Sequence, residues 1–180
     1  MKIHWQGDRL IVAEGDITRF DGDAIVNAAN KSLQGGGGVD GAIHRAAGPE
    51  LLEACRELRR TSWADGLPVG EVTMTPGFRL PASQVIHTVG PVFAKSEDRS
   101  GQLADCYRNA LRLAGEHRFK RLAFPAISTG IYGYPADAAA KIVAEVMRET
   151  LPEFPGLTVT LMFFSSSDAE GFLENASLST

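Results

Sequence analysis

The chain has 180 residues, 44% of them hydrophobic, which is enough to bury one core without disulfide or metal staples. Its formal charge of -4 argues against a dedicated nucleic-acid binder, because such proteins draw their affinity from lysines and arginines that neutralise phosphates. The two basic clusters, "RELRR" at 56–60 and "HRFKR" at 117–121, fall at or just beyond helical stretches and read as solvated ends.

The opening "MKIHWQGDRL" lacks the apolar stretch of a signal peptide, and no run approaches the ~18 apolar residues of a membrane span. Cys55 and Cys106 sit in helical patterns with no CxxC or Cys/His spacing, so they read as buried free thiols. Together these features predict a cytoplasmic protein, taken as a monomer because no apolar surface segment demands a partner.

In chain order, "KIHWQ" and "RLIVAEG" read as strands around a Gly-Asp turn, and "DAIVNAA" as a short, fully buried strand. From residue 38 the apolar spacing becomes three and four: "VDGAIHRAAG" and "PELLEACRELRRTSW" are helices, with Gly48 stopping the first and Pro49 starting the second. "EVTMTPGF" and "SQVIHTVGPVF" return to strand patterns. The polar "AKSEDRSG" then leads to a helix from about Gln102 to His117. "RLAFPAI" is another buried strand, and "STGIYGYP" precedes an alanine-rich helix from Ala136 to Thr150. "LTVTLMFF" is the last strand, and Ser165 to Asp168 cap a short closing helix.

Alternating strands and helices predict a three-layer α/β/α sandwich around a mixed, largely parallel sheet. The expected organisation is a single domain over 1–175 with a flexible tail at 176–180. Ligands of such sheets bind beyond the carboxyl ends of the strands, which directs attention to the loops after "AIVNAA" and "LAFPAI".

The first of these loops, "QGGGGVDGA", connects a buried strand to a helix, where backbone N–H groups and the positive helix end favour an anion. It lacks the GK[ST] ending of a P-loop and a proper GxGxxG spacing, so a nucleoside triphosphate is not the expected ligand. "ISTGIYGYP" repeats the arrangement with the Ser128 and Thr129 hydroxyls. Two adjacent anion loops suit a diphosphate. Tyr132 offers an aromatic face to a sugar or helps shut the loop, whereas Tyr134 reads as a lid packed on the core.

Asn27 and Asn30 bracket a strand end, one suited to sugar hydroxyls and the other to holding turn backbone. Asp16 follows a strand and precedes a helical turn; its residue type alone favours a cap over a base contact. Asp40 falls in a first helical turn, which predicts an ionised, weakly basic carboxylate that orients a water or merely compensates the dipole. His44 and His87, flanked by apolar residues, read as structural. No His, Cys and carboxylate spacing suggests a metal site, and no GxSxG elbow is present.

The strings "GDIT" at 15–18, "IVNAAN" at 25–30, "GGGGVDGAIHRAAG" at 35–48, "HTVGP" at 87–91 and "FPAISTGIYGYP" at 124–135 closely resemble macrodomains. The resemblance is to the MacroD-type ADP-ribosylhydrolases and bacterial O-acetyl-ADP-ribose deacetylases, and it runs in order through nearly the whole chain. It implies the macrodomain fold and ADP-ribose as ligand. Asp16 would receive the adenine amino group, which replaces the cap reading, and Ile17 would give a backbone donor. Gly36, Gly37, Gly38 and Val39, with Ser128, Thr129, Gly130, Ile131 and Tyr132, would wrap the diphosphate and distal ribose. Asn27 is placed with the ligand-binding residues, Asn30 would hold the distal ribose, and Asp40 would orient the attacking water.

The implied reaction needs no cofactor and no metal: it releases ADP-ribose from acidic side chains of mono-ADP-ribosylated proteins, or acetate from O-acetyl-ADP-ribose. Serines at 165–167 replace the acidic stretch often found in relatives, so Phe164 is the candidate for the adenine wall. Competing readings are a non-catalytic ADP-ribose reader and a hydrolase of ADP-ribose 1″-phosphate or of ADP-ribosylated nucleic acid, nucleic acid entering only as a modified substrate. Retention of both Asn30 and Asp40 favours catalysis.

Overall fold

The computed structural model describes residues 1–178. Seven strands form one sheet: β1 (Lys2–Gln6), β2 (Leu10–Glu14), β3 (Ala24–Ala28), β4 (Val72–Pro76), β5 (Gln84–Thr88), β6 (Arg121–Phe124) and β7 (Thr158–Phe163). Their spatial order is β1-β2-β7-β6-β3-β5-β4. The inner five run parallel and only the edges, β1 on β2 and β4 on β5, are antiparallel. Among the described residues five α-helices complete the expected sandwich: α1 (Gly38–Ala47), α2 (Pro49–Thr61), α3 (Ser100–Glu116), α4 (Ala136–Thr150) and α5 (Ser166–Ala176).

The period-two alternation of side chains along a strand decides which helices each residue meets. Val12, Val26, Ile86, Phe124 and Leu161 face α3, α4 and α5, in a core with Leu103, Leu111, Val143 and Phe172. Their immediate neighbours Ala13, Ile25, Val85, Ala123 and Met162 face the other way, against Ile43 of α1 and Leu51 and Cys55 of α2. The carboxyl ends of all five parallel strands therefore open on one side of the molecule.

Local signals set most boundaries. Gly48, at φ 90°, stops α1 and precedes Pro49 at the start of α2. Ser165 caps α5 by accepting from the Asp168 N–H at 3.2 Å. The closing helix runs further than expected: Asn175 Nδ2 donates to the Gly171 carbonyl and Ala176 is buried, so the expected tail begins inside the fold. The remainder of that tail includes residues 179–180, which lie outside the described residues. Among the described residues no helix is long and apolar enough to cross a membrane.

Candidate functional site

A cavity of about 660 Å³ lies beyond the strand ends, and each parallel strand contributes to it through the residues that follow. Gly15, Asp16 and Ile17 follow β2, Ala29 and Asn30 follow β3, and Gly90 follows β5; Pro125 to Ser128 follow β6, and Phe164 follows β7.

At one end, Asp16 caps the 3-10 turn Ile17–Arg19. Its Oδ1 accepts from the Thr18 N–H at 3.0 Å and from the Thr18 hydroxyl at 2.6 Å. The cap expected from its residue type is thus formed, and the residue also lines the cavity. Ile17 lies beside it, and Phe164 stands at the rim with 89% of its surface exposed.

The loop from β3 to α1 forms the opposite wall. Gly35 (φ 83°) and Gly38 (φ 57°) use the left-handed region that side chains disfavour. Gly36 sits between two polar side chains: a Cβ there would lie 3.3 Å from Asn30 Nδ2 and 3.3 Å from Asp40 Oδ2. Asn30 is held by its own turn, its Nδ2 donating to the Gly35 carbonyl at 3.0 Å and its Oδ1 accepting from Ser32 at 2.6 Å.

Asp40 is only 5% exposed although it lines the cavity. Its Oδ1 accepts from Asn27 Nδ2 at 2.8 Å, and His44 Nε2 lies 3.4 Å away, one helical turn on. Burial raises its pKa above the ordinary aspartate value, opposed by the Asn27 amide and by the charge of His44. The expectation of a weak base is therefore corrected in direction: desolvation makes Asp40 a stronger base than a surface aspartate.

The second loop, from β6 to α4, is braced by its surroundings. Ser128 adopts φ 67° with its carbonyl accepting from the Tyr134 N–H at 2.9 Å, and the Tyr132 carbonyl accepts from the Phe93 N–H at 2.8 Å. The Tyr107 hydroxyl, under the loop, donates to the Pro125 carbonyl at 3.3 Å and accepts from the Ile127 N–H at 3.2 Å. Tyr134 is buried and packs edge-on against Phe93, the lid role its sequence context predicts. Ile131 is the opposite, 95% exposed at the cavity rim.

Of the candidate residues, the cavity brings together Asp16, Ile17, Asn30, Gly36, Gly37, Gly38, Val39, Asp40, Ser128, Gly130, Ile131, Tyr132 and Phe164. Two are not on its surface. Thr129 is not among the residues that line it, and Asn27 is wholly buried beneath Asp40, because its parity on β3 turns it toward α1. Sequence reasoning missed Gly90, Arg45, Met162, Phe163 and Asp168 on the lining. The strand-end rule reaches Gly90 and Phe163, and the i,i+4 spacing on α1 signals the Asp40–His44 pair. Among the described residues, no three His, Cys, Asp or Glu side chains cluster to hold a metal.

A family model described as "Macro domain" matches residues 26–143. A macro domain-containing protein of Streptomyces griseus is 52% identical over 91% of this chain and 90% of its own length. An Escherichia fergusonii protein named O-acetyl-ADP-ribose deacetylase is 54% identical over 81% of this chain and 84% of its own. Among solved structures, a mutant of the Oceanobacillus iheyensis macrodomain with ADPR superposes with a TM-score of 0.90 at 46% identity, covering 96% of this chain and 95% of that one.

Proposed function

The chain belongs to the macro domain family, and on that premise we propose that it binds ADP-ribose in this cavity and hydrolyses esters of its distal ribose. The substrates in this reading are O-acetyl-ADP-ribose and mono-ADP-ribosyl groups on acidic side chains. The observation that carries it is the placement of Asn30 and Asp40 on either side of bare Gly36 backbone, at the positive end of α1.

In this reading the diphosphate lies between the two loops, neutralised by backbone N–H groups rather than by lysines. Backbone neutralisation accords with the net charge of -4. The buried Ser128 hydroxyl has no partner among the described residues, and a phosphate oxygen would supply one. Adenine sits at the other end, its amino group toward Asp16 and its face against Phe164. The Asn30 amide holds the distal ribose.

Asp40 accepts a hydrogen bond from the water that attacks the ester carbonyl, and its raised basicity strengthens its grip on that water's proton. The remaining acceleration comes from holding ester, water and phosphate in one geometry. The E. fergusonii protein named O-acetyl-ADP-ribose deacetylase supports the choice of ester, and the O. iheyensis structure with ADPR supports the ligand.

The test is hydrolysis of O-acetyl-ADP-ribose and of a glutamate-linked mono-ADP-ribosyl protein by wild type, Asn30→Ala and Asp40→Ala, beside ADP-ribose affinities. Loss of turnover with retained affinity supports the reading. Tight binding by a wild type that turns over neither ester would make the protein a reader of ADP-ribose.

A further inference from the structure

Asn27 of β3 and His87 of β5 are register partners whose side chains turn toward α1 and α2, and Thr75 of β4 lies beyond His87 on the same face. All three are buried. Asn27 Nδ2 stands 2.8 Å from Asp40 Oδ1 and 3.1 Å from His87 Nδ1, and His87 Nε2 stands 2.9 Å from Thr75 Oγ1. A continuous polar path thus runs from the cavity carboxylate through three strands to the sheet edge.

Hydrogen-bond chemistry gives this path a direction. One Asn27 N–H reaches the carboxylate and the other reaches His87 Nδ1, so Nδ1 must be the lone-pair nitrogen and the ring proton must sit on Nε2, donated to Thr75. The arrangement leaves Asn27 Oδ1 buried with no partner among the described residues. A flipped amide would instead seat its oxygen between an Nδ1–H ring and a protonated Asp40 and strand its two N–H donors in the unpartnered position, so either orientation leaves one end unpaired. The protonation of its two neighbours therefore decides which way the amide faces.

We propose that His87 and Thr75 are positioning residues that lock the Asn27 amide as a donor to Asp40, and so keep that carboxylate oriented and ionised for the reaction. The catalytic part of this assignment rests on the hydrolase reading above. The lock itself is a property of the resting protein. Burial holds the His87 pKa down to about 3, so the ring remains neutral with one proton across the working pH range.

Other groups face the path. His44 of α1 lies 3.4 Å from Asp40 Oδ1, and the thiol of Cys55 on α2 lies 4.0 Å from His87 Nε2, its pKa pushed up to about 12 by burial and by the Asp40 charge. The thiol is therefore uncharged at neutral pH. His44 is unchanged in all the variants below.

Nitrogen NMR of the full chain reads the His87 tautomer directly. The expected result is Nε2–H, unchanged between pH 5 and 8; an Nδ1–H or doubly protonated ring overturns the proposal. Thr75→Val, close in shape, and His87→Leu both release the lock. Each should raise the acid limb of the pH–rate profile for O-acetyl-ADP-ribose by about one unit, the effect of one hydrogen bond lost to a charged group. ADP-ribose affinity should not follow.

His87→Asn restores an acceptor for the Asn27 amide and should return the limb to its wild-type position, which a merely space-filling role would not require. An acid limb unmoved in both Thr75→Val and His87→Leu sinks the lock. If no ester is turned over, the hydrolase reading fails alone. Carbon NMR of the Asp40 carboxyl in the same variants must then show the upward shift, or the lock fails too.

Discussion

The two loops that wall the cavity differ in build: a run of four glycines, 35–38, ends the first, and the second has only Gly130 and Gly133. The β3–α1 loop is bare backbone flanked by polar side chains: nothing lies within 4 Å of where a Cβ at Gly37 or Gly38 would be, while Asn30 and Asp40 crowd Gly36. The β6–α4 loop carries apolar side chains at its tip and base, with Ile131 exposed and Tyr134 buried. On the proposed reading the first acts on the ligand and the second encloses it, so damage to each should separate turnover from affinity.

The largest expected effect is Asp40→Ala, which should lower ester hydrolysis about 10²- to 10³-fold while ADP-ribose affinity, read by calorimetry, changes little. Comparable losses of affinity and rate would erase the division between the loops.

Next comes a pH effect confined to the ground beneath the first loop. Unfolded His87 takes up a proton below its ordinary pKa of 6.5, whereas the folded ring stays neutral down to about 3. Stability contributed by this group is therefore present above pH 6.5 and is lost as pH falls toward 3. Between pH 6.5 and 5 the loss should be about 2 kcal/mol. Denaturant unfolding of wild type and His87→Leu checks this, and the variant's stability should be flatter over that interval. Equal slopes would place the sensitivity elsewhere.

Gly36→Ala comes third. Its methyl group would press on both Asn30 Nδ2 and Asp40 Oδ2 at 3.3 Å, so hydrolysis should fall roughly ten-fold through misplacement of the reacting groups. Steady-state kinetics should show the loss mainly in kcat. The smallest effect belongs to the enclosing loop: Ile131→Ala removes a side chain that is 95% exposed, so Tm should not move. Burial by a ligand would make that side chain worth about three-fold in affinity, visible as faster dissociation.

What the sequence discloses and withholds follows the range of the interactions. Helix limits at Gly48 and Pro49 and the Ser165 cap depend on neighbours in the chain, and they are readable residue by residue. The expected helix from Gln102 begins two residues earlier, at Ser100, because polar residues at a helix start carry no periodicity. Asp40 is recognisable as a first-turn carboxylate, but its basicity depends on its burial in the fold and on an amide thirteen residues away. Asn27 has a partner sixty residues distant, so nothing local distinguishes a ligand-facing asparagine from one under the floor. Its strand parity contains the answer once the neighbouring strand is known.

Gly41 never reaches the cavity surface, yet a Cβ there would stand 2.4 Å from the Gly36 carbonyl oxygen. The second turn of α1 and the glycine loop are thus one casting. Transplanting the loop onto another α/β scaffold would have to carry the helix as far as Gly41, because the shape of the binding wall is stored in a residue behind it.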